Sequence, residues 1–149
     1  MAEMNRVSRF FVNSFNARRN ARLLPWIRAN LILPAGSRCL EIGCGNGDMA
    51  SRIVTAMRPA SYVATDVDPR QIEFARRYIV SRIPNGLPAN LELRVADMLR
   101  LPFEDASFEA VFAFVTFHHA SPSHREFAAV PRALGEADRV LRPGGQLLY

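Results

Sequence analysis

Residues 40–47 of the chain read LEIGCGNG, an apolar segment that runs directly into three alternating glycines. The segment 38–42 predicts a short strand, and residues 48–57 after the glycines predict a helix. Glycine lacks a Cβ and tolerates positive φ, so a ligand can approach the backbone amides of such a loop. These amides lie at a helix N-terminus, which favours an anionic group such as a carboxylate or phosphate. The alternative interpretation is a plain strand-to-helix turn.

A second acidic residue favours the binding loop over the plain turn. Residues 61–65 predict another strand, and Asp66 closes it about 20 residues after the glycines, the separation at which a carboxylate can accept hydrogen bonds from ribose hydroxyls. The loop and Asp66 together predict a ligand that contains adenosine. The spacing GxGxG differs from the GxGxxG of nicotinamide and flavin enzymes, which disfavours a dehydrogenase.

The remaining segments alternate between strand and helix patterns. Asp68 is the predicted N-cap of the next helix and Pro69 its first residue. Further strands are predicted at 91–95, at 108–115 and from residue 146, a helix at 121–141 restarted by Pro131, and a turn at 142–145. Strands that alternate with helices predict a parallel sheet covered on both faces.

Residues 7–33 predict helical structure that Pro25 breaks into two helices. We therefore divide the chain into an N-terminal helical segment, 1–35, and a core, 36–149. The helical segment is a candidate lid over a substrate, and a simple packing role fits it equally well.

Composition restricts the classes of protein. A chain of 149 residues with 49% hydrophobic and 22% charged residues fits one globular domain. No apolar run is long enough for a membrane span and no secretory signal is visible, which predicts a cytoplasmic protein. Cys39 and Cys44 are expected to be reduced. The net charge of +5 comes from arginine alone and is largely N-terminal. It fits a solvated helix face better than a nucleic-acid or membrane surface.

Four motifs in order resemble those of class I S-adenosylmethionine-dependent methyltransferases: LEIGCGNG, VATDVDP, VADMLRLPFEDASFEAVFAFVTFHH and EADRVLRPGG, spread over residues 40–145. The resemblance implies an α/β fold, a three-layer Rossmann-like sandwich with a mainly parallel sheet. The family sheet has seven strands, so the chain is expected to be truncated after strand 5. An exposed edge there would favour dimerisation.

The resemblance also implies a cofactor, S-adenosyl-L-methionine, and the residues that hold it. The loop residues Glu41, Gly43, Gly45 and Gly47 would cradle its methionine part, with Cys44 and Asn46 beside them. Asp66 would accept from the ribose and Val67 would pack on the adenine. Asp97 would accept from the adenine amine while Met98 offers its amide. Phe114 completes the predicted cofactor site.

The predicted function is methyl transfer to a small molecule by in-line displacement. His119 and His118 follow the fourth strand and are candidate general bases, although fixing a loop is the commoner role at this place. The Asn- or Asp-Pro-Pro-aromatic signature of base-methylating enzymes is absent at 112–115, which disfavours nucleic acid as a partner. No metal-ligand spacing is present, so no metal is predicted. The alternatives are an aminopropyltransferase-like enzyme and a non-catalytic cofactor-binding module.

Overall fold

The computed structural model describes residues 6–120 and 128–149, with side chains at 17–117, 119–120 and 128–149. The chain divides into two compact units, Met1–Ile32 and Leu33–Tyr149. The first unit contains one helix, α1 (Arg6–Asn30). The second alternates strands and helices in this order: β1 (Arg38–Ile42), α2 (Asp48–Met57), β2 (Ser61–Asp66), α3 (Pro69–Arg82), β3 (Leu91–Val95), β4 (Phe108–Phe112), a 3₁₀ turn (Phe117–His119), α4 (Val130–Val140) and β5 (Leu141–Leu148).

The five strands form one parallel sheet in the order β3-β2-β1-β4-β5. This confirms the predicted α/β fold with a mainly parallel sheet. The central strand β1 lies between β2 and β4, and its last four residues are buried, as expected for a strand covered on both faces. Its side chains alternate: Leu40 and Ile42 join the core cluster in which α4 buries Ala133, Ala137 and Val140.

The predicted break at Pro25 is wrong, because α1 continues through this residue to Asn30. A proline inside a helix leaves the carbonyl four residues earlier without its donor, here that of Ala21. Both Ala21 and Pro25 are exposed, so water can satisfy that carbonyl and the ring meets no packed neighbour. Both features lower the cost of the proline, and the helix continues through it.

The structure also corrects the predictions for the chain after residue 108. The predicted strand 108–115 ends at Phe112, and its last predicted residue, Val115, adopts the left-handed conformation with φ 52°. Residues 121–127 of the predicted helix 121–141 lie outside the described part of the chain. The described part of this helix begins at Val130, after a turn.

The fifth strand begins at Leu141, directly after α4, and not at residue 146 as predicted. The predicted turn at 142–145 survives as an irregularity within β5. Phe108 of β4 pairs with Leu141 of β5, and Ala110 pairs with Gln146. Between these two pairs β4 advances by two residues and β5 by five, so β5 accommodates three additional residues there. Gly144, with φ 78°, lies in this irregular part.

Candidate functional site

The candidate site lies at the carboxyl edge of the sheet. Because all strands are parallel, the segments that follow β1, β2, β3 and β4 lie at the same edge. In the sheet, β2 and β3 lie on one side of β1, and β4 and β5 lie on the other. The direction in which successive strands are added therefore reverses beside β1. Ligands of open α/β sheets bind at such a reversal, outside the carboxyl ends of the strands. The glycine loop, 43–47, is the segment that follows β1.

The glycine loop is bonded to the end of β2. The Cys44 amide donates to the Thr65 carbonyl at 2.7 Å, and the Gly45 amide donates to Asp66 Oδ2 at 3.1 Å. Oδ1 of Asp66 accepts from the Asp68 amide at 3.0 Å. Each carboxylate oxygen has two acceptor positions, so each keeps capacity for a hydroxyl donor. Burial raises the pKa of Asp66, against the effect of these amide hydrogen bonds, which lower it.

The three glycines of the loop differ in what surrounds them. A Cβ on Gly43 would collide with the side chain of Thr116, and one on Gly47 would approach Ile79 and Ala75 at 2.8 and 3.0 Å. A Cβ on Gly45 would meet no atom within 4 Å. Gly43 and Gly47 therefore permit close packing within the protein. Of the three, Gly45 is the glycine that borders open space beside Asp66.

Asn46 and Glu41 make contacts within the protein. The Asn46 side-chain oxygen accepts from the Asp48 amide at 3.1 Å, which supports the start of α2. Glu41 is 3% exposed, and its Oε2 accepts from the Tyr62 hydroxyl at 3.0 Å. Burial, followed by the nearby Glu41 charge, raises the pKa of Tyr62 well above its usual value. Sequence analysis missed Tyr62, although a tyrosine within an apolar strand is the kind of residue that needs a buried hydrogen-bond partner.

The residues predicted to surround adenine follow β2 and β3. Val67 exposes 56% of its surface beside Asp66. The Ala96 amide donates to the Asp66 carbonyl at 3.0 Å, which joins the two segments. Asp97 is exposed, and its Oδ1 accepts from the Leu99 amide at 2.8 Å. Met98 is half-buried against the core.

The segment after β4 places further candidates at the same edge. Phe114 is half-buried, with its ring centroid 5.7 Å from that of Phe112. Val115 is 60% exposed, and Thr116 is buried against Gly43. His119 is exposed at the end of the 3₁₀ turn, and its amide donates to the Thr116 carbonyl at 2.9 Å. The side chain of His118 lies outside the described part of the chain.

The residues present fit S-adenosylmethionine. A ribose diol needs an acceptor for two hydroxyls, which the remaining capacity of the Asp66 carboxylate supplies. The approach of a nucleoside to the backbone needs free space, which exists beside Gly45. An adenine ring needs an exposed apolar surface, which Val67 provides. The fit therefore depends on Gly45 of the glycine loop and on Asp66 and Val67 at the end of β2.

Cys39 and Cys44 are both free and buried, which confirms the predicted reduced state. Burial, with Glu109 as a lesser cause, raises the pKa of Cys39 to about 12. Burial likewise raises the pKa of Cys44. Both thiols stay protonated near neutral pH and are poor nucleophiles.

Within residues 6–120 and 128–149, no group of three or more His, Cys, Asp or Glu side chains is arranged to hold a metal ion. Among the same residues, no helix combines the length and apolarity needed to cross a bilayer.

Comparisons with known proteins identify the family of the chain. A family model described as "Methyltransferase domain" matches residues 40–149. A fatty-acid O-methyltransferase of Mycolicibacterium smegmatis is 40% identical over 114 residues, which cover 76% of this chain and 36% of that protein. A 27-O-demethylrifamycin SV methyltransferase of Amycolatopsis mediterranei is 35% identical over 130 residues, which cover 85% and 42%.

The crystal structure of the [4+2]-cyclase SpnF superposes with a TM-score of 0.67 at 29% identity, covering 85% of this chain and 42% of that one. The chain spans about two-fifths of the length of the curated relatives it matches.

Proposed function

The chain belongs to the methyltransferase domain family, and we propose that it binds S-adenosylmethionine at the glycine loop and Asp66 for methyl transfer to a small molecule. The observation that carries the proposal is the Gly45 amide held 3.1 Å from Asp66 Oδ2, beside open space. That pairing presents a carboxylate and an accessible backbone together at the carboxyl edge of the sheet.

The methyl acceptor is an oxygen atom of a small, largely apolar molecule. Two relatives are named for O-methylation, one of a fatty acid and one of a demethylated rifamycin. Val115, which is 60% exposed, supplies apolar surface at the carboxyl edge of the sheet, where such an acceptor would lie. It remains a prediction that nucleic acid is not a partner and that the β5 edge favours dimerisation, and the cytoplasmic location and the domain boundary at residue 35 also remain predictions.

The bound cofactor supplies a methyl group already activated by a positively charged sulfur, so the chain needs no nucleophile of its own. Its residues bind, orient and exclude water, and alignment of this kind is worth up to roughly 7–11 kcal/mol in model reactions. With the cofactor bound, Asp66 would orient the ribose, Glu41 and the glycine loop would hold the methionine part, and Asp97 and Met98 would hold the adenine. His119 and His118 are the candidate bases for a protonated acceptor.

Binding of the cofactor is tested by isothermal titration calorimetry on the full-length protein. Asp66→Ala removes two charge-assisted hydrogen bonds to the ribose, and we expect roughly 100-fold weaker binding. Asp138→Ala is the matched control, because Asp138 is exposed on α4. Equal affinity of the two variants would contradict the assignment of Asp66.

Transfer is tested by incubating the full-length protein with methyl-labelled cofactor and a panel of fatty acids and hydroxylated polyketides. We expect label in a methyl ester or ether, identified by mass spectrometry. Label recovered only in amines or carbon-bound methyl groups would contradict the oxygen acceptor.

A second candidate is a cofactor-binding protein that does not transfer the methyl group. The similarity to SpnF favours it, because a structure named as a cyclase has this fold at 29% identity. The two candidates differ in cofactor consumption. Binding without appearance of S-adenosylhomocysteine across the substrate panel would favour the second candidate.

A further inference from the structure

One face of α4 carries three charged residues that the proposed function does not use. Arg132, Glu136 and Arg139 are spaced i, i+4, i+7 and therefore lie on one side of the helix, which we name the α4 clamp. Each of the three directly precedes a residue of the buried side, which is formed by Ala133, Ala137 and Val140. Burial of that apolar side fixes the rotation of α4 and turns the clamp toward the loop after β3, residues 97–103.

Two clamp residues bond the backbone of this loop. The Leu101 amide donates to Glu136 Oε2 at 2.7 Å, and Arg139 Nη2 donates to the Leu101 carbonyl at 3.0 Å. Arg139 Nη1 donates to the Phe103 carbonyl at 2.9 Å. Both polar groups of Leu101 are thus held by side chains of one helix.

The third clamp residue extends the same pattern. Arg132 Nε donates to the Leu99 carbonyl at 3.0 Å. The carbonyls of Leu99, Leu101 and Phe103 thus all accept from arginines of α4. A guanidinium is suited to this task because it has five donors in a rigid plane.

The Arg139 guanidinium is itself held in place. Glu136 Oε1 and Oε2 accept from its Nε and Nη2, both at 2.9 Å, and Asp105 Oδ1 accepts from Nη1 at 2.7 Å. The side chains of Arg139 and Glu136 are 31% and 19% exposed. Partial shielding from water and a fork of several hydrogen bonds make this pair stronger than an ordinary surface ion pair.

The clamped loop begins with the two residues assigned to adenine. Asp97 is exposed, and apart from an isolated bridge between Asp97 and Arg100 the loop lies outside the sheet ladder. A hydrogen bond to adenine contributes more to affinity when its acceptor is held in place before the ligand arrives, because ordering a loop on binding costs free energy. The clamp supplies that order from outside the site.

We propose that the α4 clamp is a positioning device that holds the loop 97–103 so that Asp97 and Met98 are preorganised to recognise adenine. The proposal rests on the proposed function, since it assumes an adenosyl cofactor. Arg139 and Glu136 touch no ligand and act through the backbone of Leu101 and Phe103. Leu101 and Phe103 also pack against the core, so loss of the clamp loosens the backbone of the loop while the sheet stays intact.

The first test is hydrogen exchange of the full-length protein without cofactor. Arg139→Gln should speed amide exchange in 97–103 by at least about tenfold, because each lost hydrogen bond to a charged group is worth about 1.5 kcal/mol or more. Arg142→Gln is the matched control: Arg142 donates to the Ala106 carbonyl and pairs with Glu109, outside the loop. Equal exchange of the loop in both variants would overturn the proposal.

The second test is a double-mutant cycle on cofactor affinity. Arg139→Gln and Asp97→Ala should each weaken S-adenosylmethionine binding about tenfold, and the double variant by clearly less than the product. Arg142→Gln combined with Asp97→Ala should be additive. Independent effects of Arg139 and Asp97 would overturn the proposal.

A milder variant covers the case in which Arg139→Gln does not fold. Arg132→Gln removes a single contact from an exposed side chain, and exchange at the start of the loop should rise in the same direction. If the unmutated protein binds no S-adenosylmethionine, the proposed function fails and the adenine role fails with it. The exchange result still decides whether α4 holds the loop, so the two failures are distinguishable.

Discussion

Gly43 shows how one residue can serve packing at a site where its type suggests ligand binding. Its φ is 72°, and the place of a Cβ is taken by the side chain of Thr116, which lies 73 positions later in the chain. A positive φ and the absence of a Cβ beside Thr116 are separate requirements, and only glycine meets both. The sequence motif indicates the positive φ but not the contact with Thr116.

Gly43→Ala should therefore cost more stability than an alanine at another left-handed glycine. Gly86 has φ 80° and no atom within 4 Å of a Cβ, so Gly86→Ala measures backbone strain alone, about 1–2 kcal/mol. Gly43→Ala should add an overpacking cost of about 1–3 kcal/mol. Urea unfolding measures both, and Thr116→Ala should recover part of the loss at Gly43. Equal losses at the two glycines would show that the Thr116 contact is not tight.

The Asp66 carboxylate predicts how cofactor binding depends on pH. Burial raises its pKa above the ordinary 3.8, so protonation begins at a higher pH than for a free aspartate. The ionised form accepts from the ribose, and affinity should fall as pH drops through the raised pKa. Calorimetric titrations across this range measure the effect. Asp66→Asn is the control and should show a flat profile; a profile that persists in this variant would assign the effect to another group.

The strands and helices of residues 38–148 show which elements local sequence signals can predict. Residues 38–42, 48–57 and 91–95 were predicted with the observed bounds, because the glycine turn separates the first two and strict alternation marks the third. The end of β4 and the start of β5 were missed. The irregular pairing of 142–145 depends on β4, which is distant in the chain. Val115 has positive φ, which a β-branched residue normally avoids, so no signal in the sequence predicts it.

Pro25 yields a prediction for α1. Pro25→Ala restores a donor to the Ala21 carbonyl and should stabilise the helix by up to about 3 kcal/mol, the interior cost of proline. Slower amide exchange within 21–30 measures the gain. Pro69→Ala is the control, since proline in the first turn of α3 loses no helical hydrogen bond. Unchanged exchange in α1 would mean that the helix around Pro25 already tolerates the proline at no cost.

The whole molecule should lose stability in alkaline solution, because its buried thiols hold their protons more tightly in the folded state than in the unfolded state. Cys39 titrates near 12 when folded and near 9.0 when unfolded, so between these values the folded state binds more protons. The free energy of unfolding should fall as pH rises through this window, by about 1.4 kcal/mol per pH unit from Cys39 alone. Denaturant unfolding at several pH values measures the slope, and Cys39→Ala should reduce it. An unchanged slope would place the titration elsewhere.

The candidate site was predictable only in part. The spacing between the glycine loop and Asp66 indicated both residues, and the structure places them 3.1 Å apart. Tyr62 beside Glu41 and the α4 clamp on the loop after β3 gave no comparable signal. Each of these contacts joins residues that are far apart in the chain, and many side chains could have filled the same role.

Local chemistry and alternation were sufficient to specify a parallel α/β core with a nucleoside-binding edge, because glycines, caps and apolar periods act over a few residues. Packing across the sheet specified the rest: which glycine borders open space, where β4 stops, and which helix holds the loop after β3. These features depend on the exclusion of one atom by another in three dimensions. That exclusion becomes defined only when β1, β4 and α4 have come together.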